Sequence, residues 1–469
     1  MMWTRTYTNI SIIFTILVVV FHIIMFPEYT MPLFILLGGV GTIFVFFVAL
    51  WQYPRYWLTT KGFIRKLFIH SVVYRILGVI VIYLLTLFFD PASLPFEIKA
   101  VDSINYNTSG LLAGEAFQKG ESVFKALSGF WKNESDYGFS IVIGFLYYLF
   151  GSYPLVVKIF NVLVGSFTVI RIYQITRHVY NEERARLAGI LMMLMPPLIW
   201  FIGMALKETL LIFIIVNIAY LITKQIFVSG FKLGVMGFII FQIAITLYFR
   251  TIMAPLLLIC LLLQIMFIQT SNIRYRVLSV FISGVLIYAS YLVVGWLGML
   301  ESIEMMIEAS QDQFGSELSH AAEEKGISYT AAIISPLLIA GAMITPFPSL
   351  LNFEEAQLGI YVHFYNEIIR NCLYFFVFFG LIRILKQFRK GIIFMLSFVL
   401  GYIMILAISG ISFQDRFQIL ALPFLIVFMA DGIYTHYPKK TKHWKIYLFF
   451  IFAAILMWNL FKLSNRGLL

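Results

Sequence analysis

The chain has 469 residues, of which 61% are hydrophobic and only 12% charged, and its formal net charge is +11. Many apolar runs of about 18 or more residues exclude a soluble enzyme with a single anchor and point to an all-α polytopic membrane protein. The positive charge does not indicate nucleic acid, because Lys and Arg gather in short loops between apolar runs, as the positive-inside rule requires of cytoplasmic loops.

In chain order the apolar runs predict spans at 10–26, 32–51, 69–89, 159–178, 187–204, 209–226, 234–249, 254–270, 277–297, 370–386, 391–409, 417–434 and 446–463, about thirteen in all. The first lacks a small-residue cleavage site and reads as a retained helix. Basic loops set the orientation: Arg55, Lys61, Arg65 and Lys66; Arg177, Arg184 and Arg186; Lys224 and Lys232; Arg274 and Arg276; Lys386, Arg389 and Lys390; and Lys439, Lys440, Lys442 and Lys445. The chain then forms one integral membrane domain over 1–469, in which 1–67 is an N-terminal helix pair with its basic cytoplasmic loop. Residues 90–158 and 298–369 become two large outer loops. Of the 23 Asp and Glu residues, 20 fall outside, leaving Glu182, Glu183 and Asp431 on the cytoplasmic side. Phe139 to Phe150 is too short to cross at about 1.5 Å per residue and is expected to lie on or dip into the outer leaflet. Tyr329 to Pro346 carries two prolines and would upset the parity of the threading, so it reads as re-entrant. Cys260 and Cys372 lie in apolar segments without metal or redox spacing and read as packing residues.

The polar stretch from Asp90 to Asp136 is the first place to look for chemistry. Asp102 and Tyr106 are one helical turn apart, and a carboxylate at a membrane surface serves either as a general base or as the ligand of a cation that steadies a phosphate. A helix cap is the simpler role for Asp102. Asp136 and Tyr137 precede the short apolar helix, where Asp136 is placed to approach Asp102 from a second element; Glu134 competes with it, and capping and interfacial anchoring are the structural alternatives. Lys207 and Glu208 share a short outer turn, where they either neutralise each other or face a polar cavity as partners of a phosphate and of a metal or hydroxyl. Arg250 and Arg416 stand at outer span ends and can grip a lipid phosphate through paired donors, or simply snorkel. Glu301, Glu304, Glu308, His320, His363 and Arg370 in the second outer loop show no metal-ligand spacing.

The segment DYGFSIVIGFLYYLFGSYPLVVKIFNVLVGSFTVIRIYQITRHVY, with the acidic opening of the loop before it, resembles the multi-spanning C-type (GT-C) glycosyltransferases. The resemblance is to bacterial relatives of the protein mannosyltransferase and aminoarabinose transferase group. KETLLIF and RFQILALPFLIVFMADGI are similar to further segments of that group, and together the likeness covers roughly 90–225 and 410–434. It implies transfer of a sugar from a polyprenyl-phosphate donor to a glycan, lipid or protein acceptor on the outer face of the cytoplasmic membrane, in cell-envelope glycan or polysaccharide synthesis. It further implies Asp102 as base, Asp136 as a supporting acid, and Lys207, Glu208 and Arg416 around the donor phosphate; Tyr106, Tyr137 and Arg250 complete the expected binding set. A divalent cation is left open as a cofactor. The chain departs from the group in having Ser103 after Asp102 in place of an acidic pair, Gly138-Phe139 in place of a Pro-rich helix entry, and two additional N-terminal spans. Two rivals share parts of this pattern: a polysaccharide polymerase using lipid-pyrophosphate-linked repeat units, and a lipid or polysaccharide transporter, which would place ionisable groups near mid-span.

Overall fold

The computed structural model describes residues 3–57, 61–98, 100–267, 347–351, 358–386, 389–408, 415–436 and 441–464. Among these, regular structure is helical apart from an isolated antiparallel bridge between Thr30 and Leu351. Apolar segments in lipid have no water to satisfy backbone groups, so each closes its hydrogen bonds within itself. In chain order the helices are α1 (Arg5–Met25), α2 (Leu33–Trp57), α3 (Phe63–Phe89), α4 (Val101–Lys119), α5 (Val123–Ser128), α6 (Tyr137–Phe150), α7 (Pro154–Val179), α8 (Glu182–Leu194), α9 (Pro196–Gly203), α10 (Glu208–Lys224), α11 (Leu233–Ile245) and α12 (Met253–Phe267). After residues outside the description come α13 (Leu358–Lys386), α14 (Ile393–Ile408), α15 (Asp415–Gln418), α16 (Leu422–His436) and α17 (Thr441–Ser464).

Among the described residues six helices are long and apolar enough to cross a membrane, namely α1, α2, α3, α7, α10 with its continuation to Ser229, and α17; α8 with α9 makes a seventh if taken as one crossing. The protein is therefore a multi-pass helical membrane protein. Four shorter apolar helices, α11, α12, α14 and α16, fall on further expected spans but are below crossing length by this measure. The expected span 277–297 and the expected re-entrant segment Tyr329 to Pro346 lie outside the described residues, as do Glu301, Glu304, Glu308 and His320.

Two expected boundaries move. The span expected at 187–204 is broken between α8 and α9 with a 45° bend; Pro196 lacks an amide hydrogen and its ring crowds the preceding turn, so the helix restarts there. The helix expected at 370–386 begins at Leu358, within the segment expected as a loop. Glu367 and Arg370 read as loop residues in the sequence, yet Arg370 sits inside α13 and donates from Nε to the Tyr374 hydroxyl at 2.9 Å. A local partner lets a charged residue continue a helix that hydropathy alone would end.

The segment expected to form the first outer loop is structured. Its helices α4 and α6 pack backbone to backbone through small residues: a Cβ on Gly144 would fall 2.9 Å from the Ala113 carbonyl carbon and from the Gly114 nitrogen. The Ser109 and Ser140 hydroxyls join across this contact at 2.7 Å. Fourteen residues of α6 extend only about 21 Å at 1.5 Å per residue, less than the roughly 30 Å of a hydrocarbon core. Phe145, Tyr148, Leu149 and Phe150 are exposed along it, the apolar face expected of a helix that meets the leaflet.

At one end of the bundle, Asp431 of α16 is fully buried and pairs with Arg184 of α8 at 2.6 Å and Arg383 of α13 at 3.0 Å. Arg389 donates to the Val179 carbonyl at 3.0 Å, so α7 is tied to the same place. Beside this cluster, α13 and α16 touch at Gly380 and Gly432; a Cβ on Gly432 would overlap the Phe376 carbonyl oxygen and lie 2.7 Å from its carbon. Backbone cannot move aside as a flexible side chain can. Gly432→Ala should therefore lower stability by about 1–3 kcal/mol, the usual range for overpacking, read as a lower melting temperature in detergent with the helical content unchanged.

Candidate functional site

The site forms where α4, α6, α10 and α15 present their ends to one another. Asp102 occupies the second position of α4; the cap residue is Ala100, so the capping role is not the one Asp102 takes. Its Oδ2 instead forms a close ion pair with Arg416 of α15, and the side chain remains 51% exposed. Arg416 continues inward, Nε to Glu208 Oε1 at 2.7 Å. Glu208 opens α10 and is completely buried. Arg250 approaches the same Oε1 at 3.6 Å, donates to the Tyr402 hydroxyl at 2.9 Å and lies over the Phe417 ring at 4.5 Å. Tyr402 in turn donates to the Phe417 carbonyl at 2.9 Å, which fixes the chain beside Arg416.

A second group adjoins the first through the peptide that joins Lys207 to Glu208. Asp136 stands at the cap position of α6 without a capping hydrogen bond. Its Oδ1 accepts from the Tyr106 hydroxyl at 2.5 Å and forms a close ion pair with Lys207. Lys207 also donates to the Ser135 carbonyl at 3.3 Å and lies 5.9 Å from the centre of the Tyr106 ring. Lys207 and Glu208 therefore do not neutralise each other as a pair; each finds its counter-ion on a different element.

Seven of the eight residues singled out from sequence thus meet: Asp102, Tyr106, Asp136, Lys207, Glu208, Arg250 and Arg416. Tyr137 does not. It packs beside Ala113 and Leu127, its ring 6.3 Å from that of Phe124. Glu134 is exposed and outside the cluster. Sequence reading passed over Glu97, which lies in the same polar stretch but at no span end. Buried Glu97 accepts from the Ser103 hydroxyl at 2.5 Å, one residue from Asp102. Lys158 of α7 braces that turn, donating to the Pro95 carbonyl at 2.9 Å.

The electrostatics follow from burial and pairing. Burial works against the Arg416 charge, but the Glu208 and Asp102 carboxylates outweigh it and raise the guanidinium above its ordinary value. Lys207 is pulled below the usual ammonium range by burial, with Arg250 adding to the effect and Asp136 opposing it. Tyr106 is pushed up by burial and by the Asp136 and Glu208 charges, so it stays a donor. Burial also raises Glu97, against the weaker pull of Ser103, Lys158 and Arg416. Three cations, Lys207, Arg250 and Arg416, balance three carboxylates, Asp102, Asp136 and Glu208. This donor set does not suit a divalent cation: each carboxylate is already held by an ammonium or guanidinium, and among the described residues no three His, Cys, Asp or Glu side chains converge as ligands.

No protein-family model matches the chain, and no curated protein is similar to it.

Two outcomes test this geometry. Glu208→Gln leaves Arg250 and Arg416 without their shared counter-charge and should cost about 3–5 kcal/mol, the scale for breaking a buried ion pair from one side, measured by thermal or denaturant unfolding. For Glu97, whose folded pKa is raised above the ordinary 4.5, the stabilising contribution is present below that value and lost as the pH rises through the folded pKa. Wild-type protein should therefore lose stability relative to Glu97→Gln as the pH rises above the ordinary glutamate value of 4.5; a pH-independent difference would contradict the assignment.

Proposed function

We propose that this protein is a membrane glycosyltransferase that moves a sugar from a polyprenyl-phosphate donor to an acceptor hydroxyl at the end of the bundle where Asp102 and Arg416 meet. The observation that carries the reading is the Asp102–Arg416–Glu208–Arg250 chain, in which a half-exposed carboxylate is held by a guanidinium itself anchored on a buried acid. A multi-pass body agrees with a donor that arrives through the lipid.

In this reaction the anomeric carbon parts from the phosphate oxygen, which keeps the bonding electrons, and bonds to the acceptor oxygen. The acceptor's proton passes to Asp102. Negative charge grows on the leaving phosphate, and Arg416, Arg250 and Lys207 are the cations at hand to stabilise it. A carboxylate clasped by guanidinium is a poor base. A donor phosphate that draws Arg416 to itself loosens Asp102, so binding of the donor readies the base, while Glu208 keeps Arg416 from swinging away. Asp136 acts by aiming Lys207 and Tyr106. The polysaccharide polymerase shares this chemistry and differs in its pyrophosphate-linked oligosaccharide donor.

A transporter draws on different features: Arg75 near the middle of α3 and the break between α8 and α9. Against it, Asp102, Asp136 and Glu208 stand at helix starts and not at helix centres.

The deciding experiment is mass spectrometry of lipids that co-purify with wild-type and Asp102→Asn protein in native-like membranes. A trapped polyprenyl-phosphate sugar in the variant is the expected result; a pyrophosphate-linked oligosaccharide would select the polymerase, and the absence of any polyprenyl lipid would count against both. With the donor in hand, Asp102→Asn should reduce turnover at least about a hundredfold without weakening donor binding, and Arg416→Ala should weaken donor binding itself.

A further inference from the structure

Arg75 is a full charge enclosed in the apolar body of the protein. It lies near the middle of α3, with none of its surface exposed. Its Nη1 donates to the Ser71 hydroxyl at 2.5 Å and the Ser71 carbonyl at 3.2 Å, both on its own helix. Its Nε is buried with no hydrogen-bond partner. Among the described residues no carboxylate pairs with it, in contrast to Arg184, Arg250, Arg383 and Arg416, each of which reaches one. A guanidinium does not shed its proton in proteins, and an uncompensated buried ion costs several kcal/mol. One uncharged serine does not offset that.

A small space lies beside it. Gly165 of α7 faces the side chain; a Cβ there would fall 3.0 Å from Arg75 Nε. A cavity of about 20 Å³ opens at this point, lined by Arg75, Thr168 and Thr209 among apolar side chains including Met192, Phe201 and Ile419. Thr168 already donates its hydroxyl to the Val164 carbonyl at 2.8 Å. Roughly 10–15 Å³ of such volume holds one water molecule, so this cavity takes a single atom-sized ligand and excludes a phosphate, a carboxylate or a sugar. Water would fill it but leave the charge uncompensated.

We infer that the cavity against Arg75 is a binding site for one monovalent halide, chloride under ordinary conditions, which neutralises the guanidinium inside the bundle. The ligand ties α3 to α7 and α10. Thr209 directly follows Glu208, and Ile419 lies three residues beyond Arg416, so the halide supports the helix starts that carry the site above. The inference stands on Arg75 and its cavity alone and is independent of the reaction proposed.

The test uses the full-length protein, with melting temperature followed in potassium chloride, potassium bromide and potassium gluconate at matched ionic strength. Chloride and bromide should raise the melting temperature by a constant increment for each tenfold increase above the dissociation constant, while gluconate, too large for the cavity, should not. Arg75→Met should abolish the difference between the salts. Bromide-grown crystals of the wild type should show an anomalous peak beside Arg75 Nε, a readout that needs no variant to fold. Equal melting in chloride and gluconate, or water with no anomalous signal at that position, would overturn the site.

Discussion

Burying Glu208 constrains much of what surrounds it. A carboxylate with no exposed surface is tolerable only with its charge met, and two arginines from distant segments meet it. Arg416 reaches it from α15 and Arg250 from the turn between α11 and α12, so one side chain gathers parts of the chain more than 200 positions apart in the case of Arg416. Because Arg416 also reaches outward to Asp102, the same contact that anchors the bundle end sets the place of the most exposed carboxylate in the site. Removing either arginine would disturb position and charge together.

The opposite end repeats the logic with different residues. Asp431 is buried in α16 and collects Arg184 and Arg383, with Arg389 bound nearby to the end of α7. Helix contacts beside each polar group derive their closeness from glycine, Gly380 and Gly432 between α13 and α16 and Gly144 between α4 and α6. In lipid, where apolar surface gains little by moving from tails to neighbours, close backbone approach and buried polar pairs carry helix association. Arg75 is the exception, a buried arginine that no carboxylate pairs with among the described residues.

Much of this was readable in the chain. Apolar run length marked out helices, and the outer polar residues were found because a Lys, Arg or Asp at a span end is costly unless it has a task or a partner. Seven of the eight residues chosen on that argument came together. Tyr137 failed the test because adjacency to Asp136 on a helix start points the two side chains in different directions: Asp136 toward Tyr106 and Lys207, Tyr137 toward Phe124 and Leu127. Glu97 escaped notice because its burial is created by Ser103 and the turn braced by Lys158, contacts that leave no mark in local composition.

The sequence by itself determined that the chain is a multi-pass helical membrane protein, and roughly where its helices lie, because hydropathy and backbone hydrogen bonding are local properties. It also picked out most of the polar residues that cluster with Glu208 and Asp136. Only the tertiary structure decided the pairings: that Lys207 answers Asp136 and not its neighbour Glu208, that Asp102 is clasped by Arg416, that Arg75 faces a cavity, and that the helix after Asn181 breaks at Pro196 with a 45° bend. Charges choose partners by distance in space and by the shared cost of leaving water, and neither is encoded by separation along the chain.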